Sequence, residues 1–155
     1  MGKRKMEPKL LENSKCGAFL TGTGLQSVDN EKVEISEATK RNYLITSDEC
    51  HFLIKNIWRR KASIYYIIVA ANGKTLRVTG QQSILTGTGW KRAKNLCVGD
   101  MLLCYDFFEG RQYVELLSIE KVVAGEQIVY SVSMGSRTLI ANGFVCNDYD
   151  MQQGS

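Results

Sequence analysis

The feature that most limits what this chain can fold into is a series of short β-branched and aromatic runs. Each is cut off within a few residues by glycine, asparagine or aspartate. The runs lie at 33–35, 64–70, 75–78, 101–105, 113–122 and 128–132, and such residues fit a pleated, half-buried surface. Asn72-Gly73 separates two of them, and this pair takes positive φ readily enough to predict a tight hairpin. Further breaks fall at 22–24, 87–89, 99–100, 109–110 and 142–143. Helical turns are predicted only at 36–42 and 91–96. With 14 glycines, one proline and no internal repeat, the expectation is an all-β domain with many strands and short connections.

The totals exclude several classes of function. A chain of 155 residues suits one domain, and 44% hydrophobic with 23% charged residues is ordinary for a globular protein. The net charge of +4 is spread over short clusters at Lys3-Arg4-Lys5, Arg59-Arg60-Lys61 and Lys91-Arg92. Nucleic-acid binding calls for a denser basic face, so no nucleic-acid partner is expected. No run of about 18 apolar residues exists to cross a membrane, and residues 1–9 lack the apolar stretch of a signal peptide. Gly22-Thr23-Gly24 lacks the lysine of a phosphate-binding loop. Trp58, Arg59 and Arg60 are expected on a solvated strand edge, where charge discourages unwanted pairing.

Five cysteines with no CxxC pair argue against a disulfide framework and for a reducing, cytoplasmic setting with at least one free thiol. The single histidine, His51, follows Cys50 on a predicted strand, and a surface or core role is expected for it. Residues 1–15 and 148–155 are polar and aperiodic, and are expected to flank a domain spanning 16–147. The closing Gly-Ser resembles a cloning scar.

Three segments carry more specific information. The chain opens a domain-like stretch with Cys16-Gly17-Ala18-Phe19-Leu20-Thr21-Gly22-Thr23. In the middle come Val78-Thr79-Gly80-Gln81-Gln82-Ser83-Ile84-Leu85-Thr86, then Gly89-Trp90, Ala93, Leu96 and Val98-Gly99-Asp100. It closes with Val129-Tyr130-Ser131-Val132 and Ala141-Asn142-Gly143-Phe144-Val145-Cys146-Asn147. In order and separation these resemble the first, central and last segments of the Hint (hedgehog/intein) superfamily. The subgroup they resemble most is the bacterial intein-like domains, with the set embedded in ciliate polyubiquitin-like precursors as a second subgroup, although neither flank resembles ubiquitin.

The resemblance implies an all-β horseshoe of two curved halves related by a pseudo-twofold axis. It also implies single-turnover autocatalysis on the chain's own backbone, with the flanking host segments in cis as substrate and the domain a monomer. Cys16 would attack the Lys15 carbonyl, moving the acyl group from nitrogen to sulfur, because a thiolate is accessible near neutral pH and strongly nucleophilic. Water, an outside thiol or an amine would release the thioester. Thr79 matches the threonine of the family's Thr-x-x-His segment, while Gln82 stands where the histidine belongs. An amide donates hydrogen bonds but cannot shuttle a proton at pH 7. Asn147 would cyclise onto its own carbonyl and break the bond to Asp148. Cys146 replaces the usual preceding histidine, Ser131 stands where many relatives carry aspartate, and no histidine occurs between Ser133 and Ile140. Asp148 offers no hydroxyl or thiol to receive the acyl group, so cleavage is expected over splicing.

No cofactor is required by this chemistry. A regulatory zinc site is expected from convergence of Cys16 and Cys146, with His51 as a third ligand, since zinc accepts Cys and His in tetrahedral sites. Gly99-Asp100 is expected to shape a turn without a catalytic role. The competing reading is a catalytically degenerate Hint scaffold that serves as a structural or binding module. A homing-endonuclease insertion does not fit in a chain of this length.

Overall fold

The computed structural model describes residues 9–10 and 17–149. Lys15 and Cys16, with most of both expected flanks, lie outside the described residues. In chain order the strands are β1 (Lys9–Leu10), β2 (Phe19–Leu20), β3 (Gly24–Gln26), β4 (Lys32–Glu34), β5 (Tyr43–Ile45), β6 (His51–Ala70) and β7 (Thr75–Val78). There follow β8 (Ser83–Thr86), β9 (Gly89–Arg92), β10 (Met101–Asp106), β11 (Gly110–Met134), β12 (Thr138–Ala141) and β13 (Phe144–Asn147). The fold is all-β. The two predicted helical turns shrink to single 3-10 turns at Ile35–Glu37 and Ala93–Asn95.

Two long strands form the frame. The 20-residue β6 and the 25-residue β11 pair antiparallel from Leu116 opposite Ala70 to Met134 opposite Ile54. The expected separate strands at 113–122 and 128–132 are one continuous strand. The break around Gly125 is absorbed as an irregularity between Val123 and Gln127, which bends the strand without ending it. Each long strand is entered by a hairpin from a shorter antiparallel partner, β5 into β6 and β10 into β11. This recurrence marks the two related halves. The predicted Asn72-Gly73 hairpin joins β6 to β7, with Gly73 at φ +86° and its N–H donating to the Ala70 carbonyl at 2.9 Å.

Both ends of the domain are interior strands. β2 lies between β7 and β11, with Phe19 opposite Val78 and Tyr130, while β13 lies between β12 and β8, with Cys146 opposite Leu139 and Ile84. The link from β7 to β8 is the short turn 79–82, so β2's neighbour and β13's neighbour are joined by that turn. Topology alone thus sets residues 79–82 between β2 and β13.

The core follows the two-residue period of strands. On β10, Leu102 and Cys104 join a main cluster with Phe19, Leu76, Leu116 and Phe144, whereas Leu103 and Tyr105 join a smaller one with Ile45, Ile140 and Val145. Burying a side chain of the Leu or Phe kind contributes about 1.5–3 kcal/mol, so these clusters fix the strand faces firmly. The Trp58-Arg59-Arg60 expectation needs correction. These residues lie in mid-β6, paired with Ser131, Tyr130 and Val129, and Arg60 is only 8% exposed. The charges misled because β6 is covered on that flank too, where Lys9 and Leu10 pair in parallel with Trp58 and Arg59.

Candidate functional site

The site is assembled by turns that the local sequence dictates. Asn142 and Gly143, both at positive φ (49° and 89°), make the two-residue turn that pairs Ala141 with Phe144. The Asn142 side chain anchors that turn, accepting from the Gly24 N–H at 2.7 Å and donating to the Thr75 carbonyl at 2.9 Å. The turn fixes the register of β13, and with it the faces of Cys146 and Asn147. Turn 79–82 is closed by the Gln82 N–H donating to the Thr79 carbonyl at 3.1 Å. The 3-10 turn beneath it clamps two of its carbonyls, through Lys94 N–H to Gly80 at 3.1 Å and Ala93 N–H to Gln82 at 2.8 Å.

On one side this turn holds the residues that follow Cys16. Thr79 and Ala18 exchange two bonds, Ala18 N–H to Thr79 Oγ1 at 3.0 Å and Thr79 N–H to the Ala18 carbonyl at 3.0 Å. Gly17 lies so close that a Cβ built on it would stand 2.2 Å from the Gln82 Cα. From β11, buried Ser131 donates from Oγ to the Gly17 carbonyl at 2.7 Å. Ser131 and Gly17 therefore belong to the site. The sequence signalled the first only as a departure from aspartate and the second only by its place after Cys16.

On the other side the turn holds Asn147. Gln82, fully buried, donates from Nε2 to the Asn147 backbone carbonyl at 3.0 Å, to Asn147 Oδ1 at 2.7 Å and to the Ser83 carbonyl at 3.1 Å. The amide orientation follows from these partners, because turning Oε1 toward two backbone carbonyls would set acceptor against acceptor. Oε1 itself is buried without a partner among the described residues.

Asp148 is not a free tail residue. It is 1% exposed, its N–H donates to the Arg137 carbonyl at 2.9 Å, and its Oδ2 accepts from the Met134 N–H at 2.7 Å. Tyr149 follows with its ring 4.2 Å from that of Trp58. Both sides of the Asn147–Asp148 bond are thus fixed.

Cys146 is not in this site. Strand alternation turns it away from Asn147 into the main core, where its thiol donates to the Phe144 carbonyl at 3.6 Å. Burial, then the neighbouring Cys104, hold its pKa well above the ordinary thiol value. His51 is exposed at the start of β6, opposite Ile45. Cys146 and His51, two of the three expected zinc ligands, therefore occupy opposite environments. Among the described residues no three His, Cys, Asp or Glu side chains gather to hold a metal ion. Asp100 has the turn-shaping place expected of it: its Oδ2 accepts from the Cys97 N–H at 2.9 Å and from Lys91 Nζ at 3.0 Å. Those contacts, the backbone one foremost, lower its pKa.

No family model and no curated protein matches the chain. Solved structures do. A bacterial intein-like domain from Clostridium thermocellum superposes with a TM-score of 0.75 at 17% identity, over 84% of this chain and 98% of that one. The DnaB intein from Synechocystis sp. PCC 6803 gives 0.72 at 18% identity, over 85% and 98%. The gp41-1 intein gives 0.71 at 22% identity, over 85% and 98%. The chain has the Hint fold, the horseshoe of inteins and intein-like domains, along nearly the full length of each of these structures.

Proposed function

We propose that the chain is a self-processing intein-like domain that cleaves its own backbone at Lys15–Cys16 and at Asn147–Asp148. The observation that carries this reading is the double contact of Gln82, which rests on Gly17 and hydrogen-bonds Asn147. One residue, with its backbone against Gly17 and its side chain on Asn147, thereby joins the neighbourhoods of both junctions.

At the upstream junction, Cys16 Sγ attacks the Lys15 carbonyl carbon. The carbon–nitrogen bond to Cys16 breaks, and the released amine takes a proton. The Thr79 and Ser131 contacts hold Gly17 and Ala18 still, so the attack is intramolecular from a fixed platform, where positioning supplies much of the rate. Water, an outside thiol or an amine then resolves the thioester. At the downstream junction, Asn147 Nδ2 attacks the Asn147 carbonyl carbon, forming a succinimide and expelling the Asp148 amine. Asp148 carries no nucleophile suited to receive the acyl group, so the flanks separate. The host segments are partners in cis, and the chemistry needs no cofactor.

A second reading is favoured by one observation. The sole histidine is exposed on the β5–β6 hairpin, which leaves proton transfer at both junctions without an imidazole. On that reading the domain is an inert Hint scaffold. Peptide mapping of chain incubated without added thiol separates the two. The active reading expects a released peptide beginning at Asp148 and a new C-terminal succinimide at residue 147. An inert scaffold yields neither.

A further inference from the structure

Gln82 occupies the position of the family's upstream histidine, yet its donor faces the downstream junction. We infer that Gln82 Nε2 is the oxyanion donor for cyclisation of Asn147, a role in the second cleavage rather than the first. The inference deepens the autoprocessing reading and rests on it.

The oxygen that turns negative when Nδ2 attacks is the Asn147 carbonyl oxygen, and Gln82 Nε2 already stands 3.0 Å from it. That is the distance at which a preorganised donor stabilises developing charge, in a site where Gln82 is fully buried and water cannot substitute. The donor count strengthens the case. Nε2 has two hydrogens and three acceptors: Ser83 O, Asn147 O and Asn147 Oδ1. In the resting arrangement the shortest contact, 2.7 Å, goes to Oδ1. To bring Nδ2 onto the carbonyl carbon the Asn147 side chain must swing, and Oδ1 then leaves Nε2. One hydrogen stays on Ser83 and the other passes wholly to the forming oxyanion. The interaction is therefore stronger in the transition state than in the ground state, as catalysis requires.

The rest of the step is also arranged. The leaving nitrogen of Asp148 stays tied to the Arg137 carbonyl, which keeps it in place as its bond to carbon breaks. One proton passes from Nδ2 to the departing amine, and the tetrahedral carbon collapses to the succinimide. Gln82 lends hydrogen bonds throughout and exchanges no proton. An amide can thus serve here where it could not serve as an acid–base group upstream.

The test compares the full chain with Gln82→Met, which keeps length without a donor, and Gln82→His, which restores one. Two rates are followed by mass spectrometry: release of the peptide beginning at Asp148, and dithiothreitol-dependent release of the fragment beginning at Cys16. The expected result is a fall of about 10²-fold in the downstream-to-upstream rate ratio for Gln82→Met. Gln82→His should recover most of that ratio, which a loss of packing alone would not restore. If the parent releases its tail and Gln82→Met matches its rate, the inference is overturned while autoprocessing stands. If neither junction of the parent is cut, the autoprocessing reading fails and the inference falls with it.

Discussion

A Cβ on Gly17 would stand 2.2 Å from the Cα of Gln82. The backbone leaving Cys16 therefore rests on the backbone of the residue whose side chain holds Asn147. Such a separation leaves no room for any side chain at 17, because the neighbouring atoms are backbone and cannot turn aside. Gly17 is seated by this contact, and several outcomes depend on it.

Gly17→Ala should displace Gly17 and Ala18 from turn 79–82. Overpacking of this kind costs about 1–3 kcal/mol, and upstream cleavage should slow by more than tenfold because the Cys16 platform moves. Thermal melting and thiol-dependent fragment release measure the two effects. An alanine variant with parent stability and parent rate would show that the two backbones are not in contact.

Thr79→Val should lose the acceptor for the buried Ala18 N–H while keeping the shape of the side chain. An orphaned buried donor costs about 1–3 kcal/mol. The upstream step should slow more than the downstream step, because Thr79 bonds Ala18 and not Asn147. Equal slowing at both junctions would contradict this division of labour.

Asp148→Ala should leave the Met134 N–H without its carboxylate and cost about 1–3 kcal/mol in urea denaturation. Asp148→Asn keeps an acceptor oxygen and should recover at least half of that loss. Tail release should drop in the alanine variant, since the scissile bond loses one of its anchors. An alanine variant as stable as the parent would mean that residue 148 is a free flank.

The buried thiols should be inert. Burial foremost pushes Cys104 from 9.0 to about 11, and Cys146 is also raised. At pH 8, iodoacetamide should therefore modify Cys50 and Cys97, both exposed, far faster than Cys104 and Cys146. Because the folded value of Cys104 lies above the unfolded one, its favourable contribution is complete below pH 9 and lost as pH rises through about 11. The pH dependence of urea midpoints in this range should accordingly be shallower in Cys104→Val. For the same reason micromolar zinc should not shift the NMR signals of Cys146. Rapid alkylation of Cys146 or a zinc-dependent shift there would contradict its placement in the core.

Much of the fold was legible because β propensity and turn chemistry act locally. The strand at 75–78, the Asn72-Gly73 hairpin and the turn at Asp100 all follow from residues within a few positions of one another. Strand lengths were not legible. The gap between the runs 113–122 and 128–132 reads as the end of one strand and the start of another, and only pairing with β6 carries β11 through it. Arg60 reads as solvated, and only tertiary cover buries it. In the candidate site, Thr79, Gln82 and Asn147 are brought together, whereas Cys146 is not. That last difference was available in principle. Adjacent residues on a strand face opposite sides, so a β13 carrying Asn147 toward Gln82 had to send Cys146 into the core. The direction of the Gln82 amide was beyond the sequence, since it depends on carbonyls of Ser83 and Asn147 that only the fold assembles.

The most direct test of the central claim is a time course of intact mass for the full chain beside Cys16→Ala and Asn147→Ala, each with and without dithiothreitol. The account predicts that the parent loses residues 1–15 faster with thiol and also loses residues 148–155. Cys16→Ala should lose only the tail. Asn147→Ala should lose only the upstream segment, at a rate within tenfold of the parent's. A parent chain that keeps its full mass under both conditions, or a Cys16→Ala variant cut at Lys15 as fast as the parent, would contradict it.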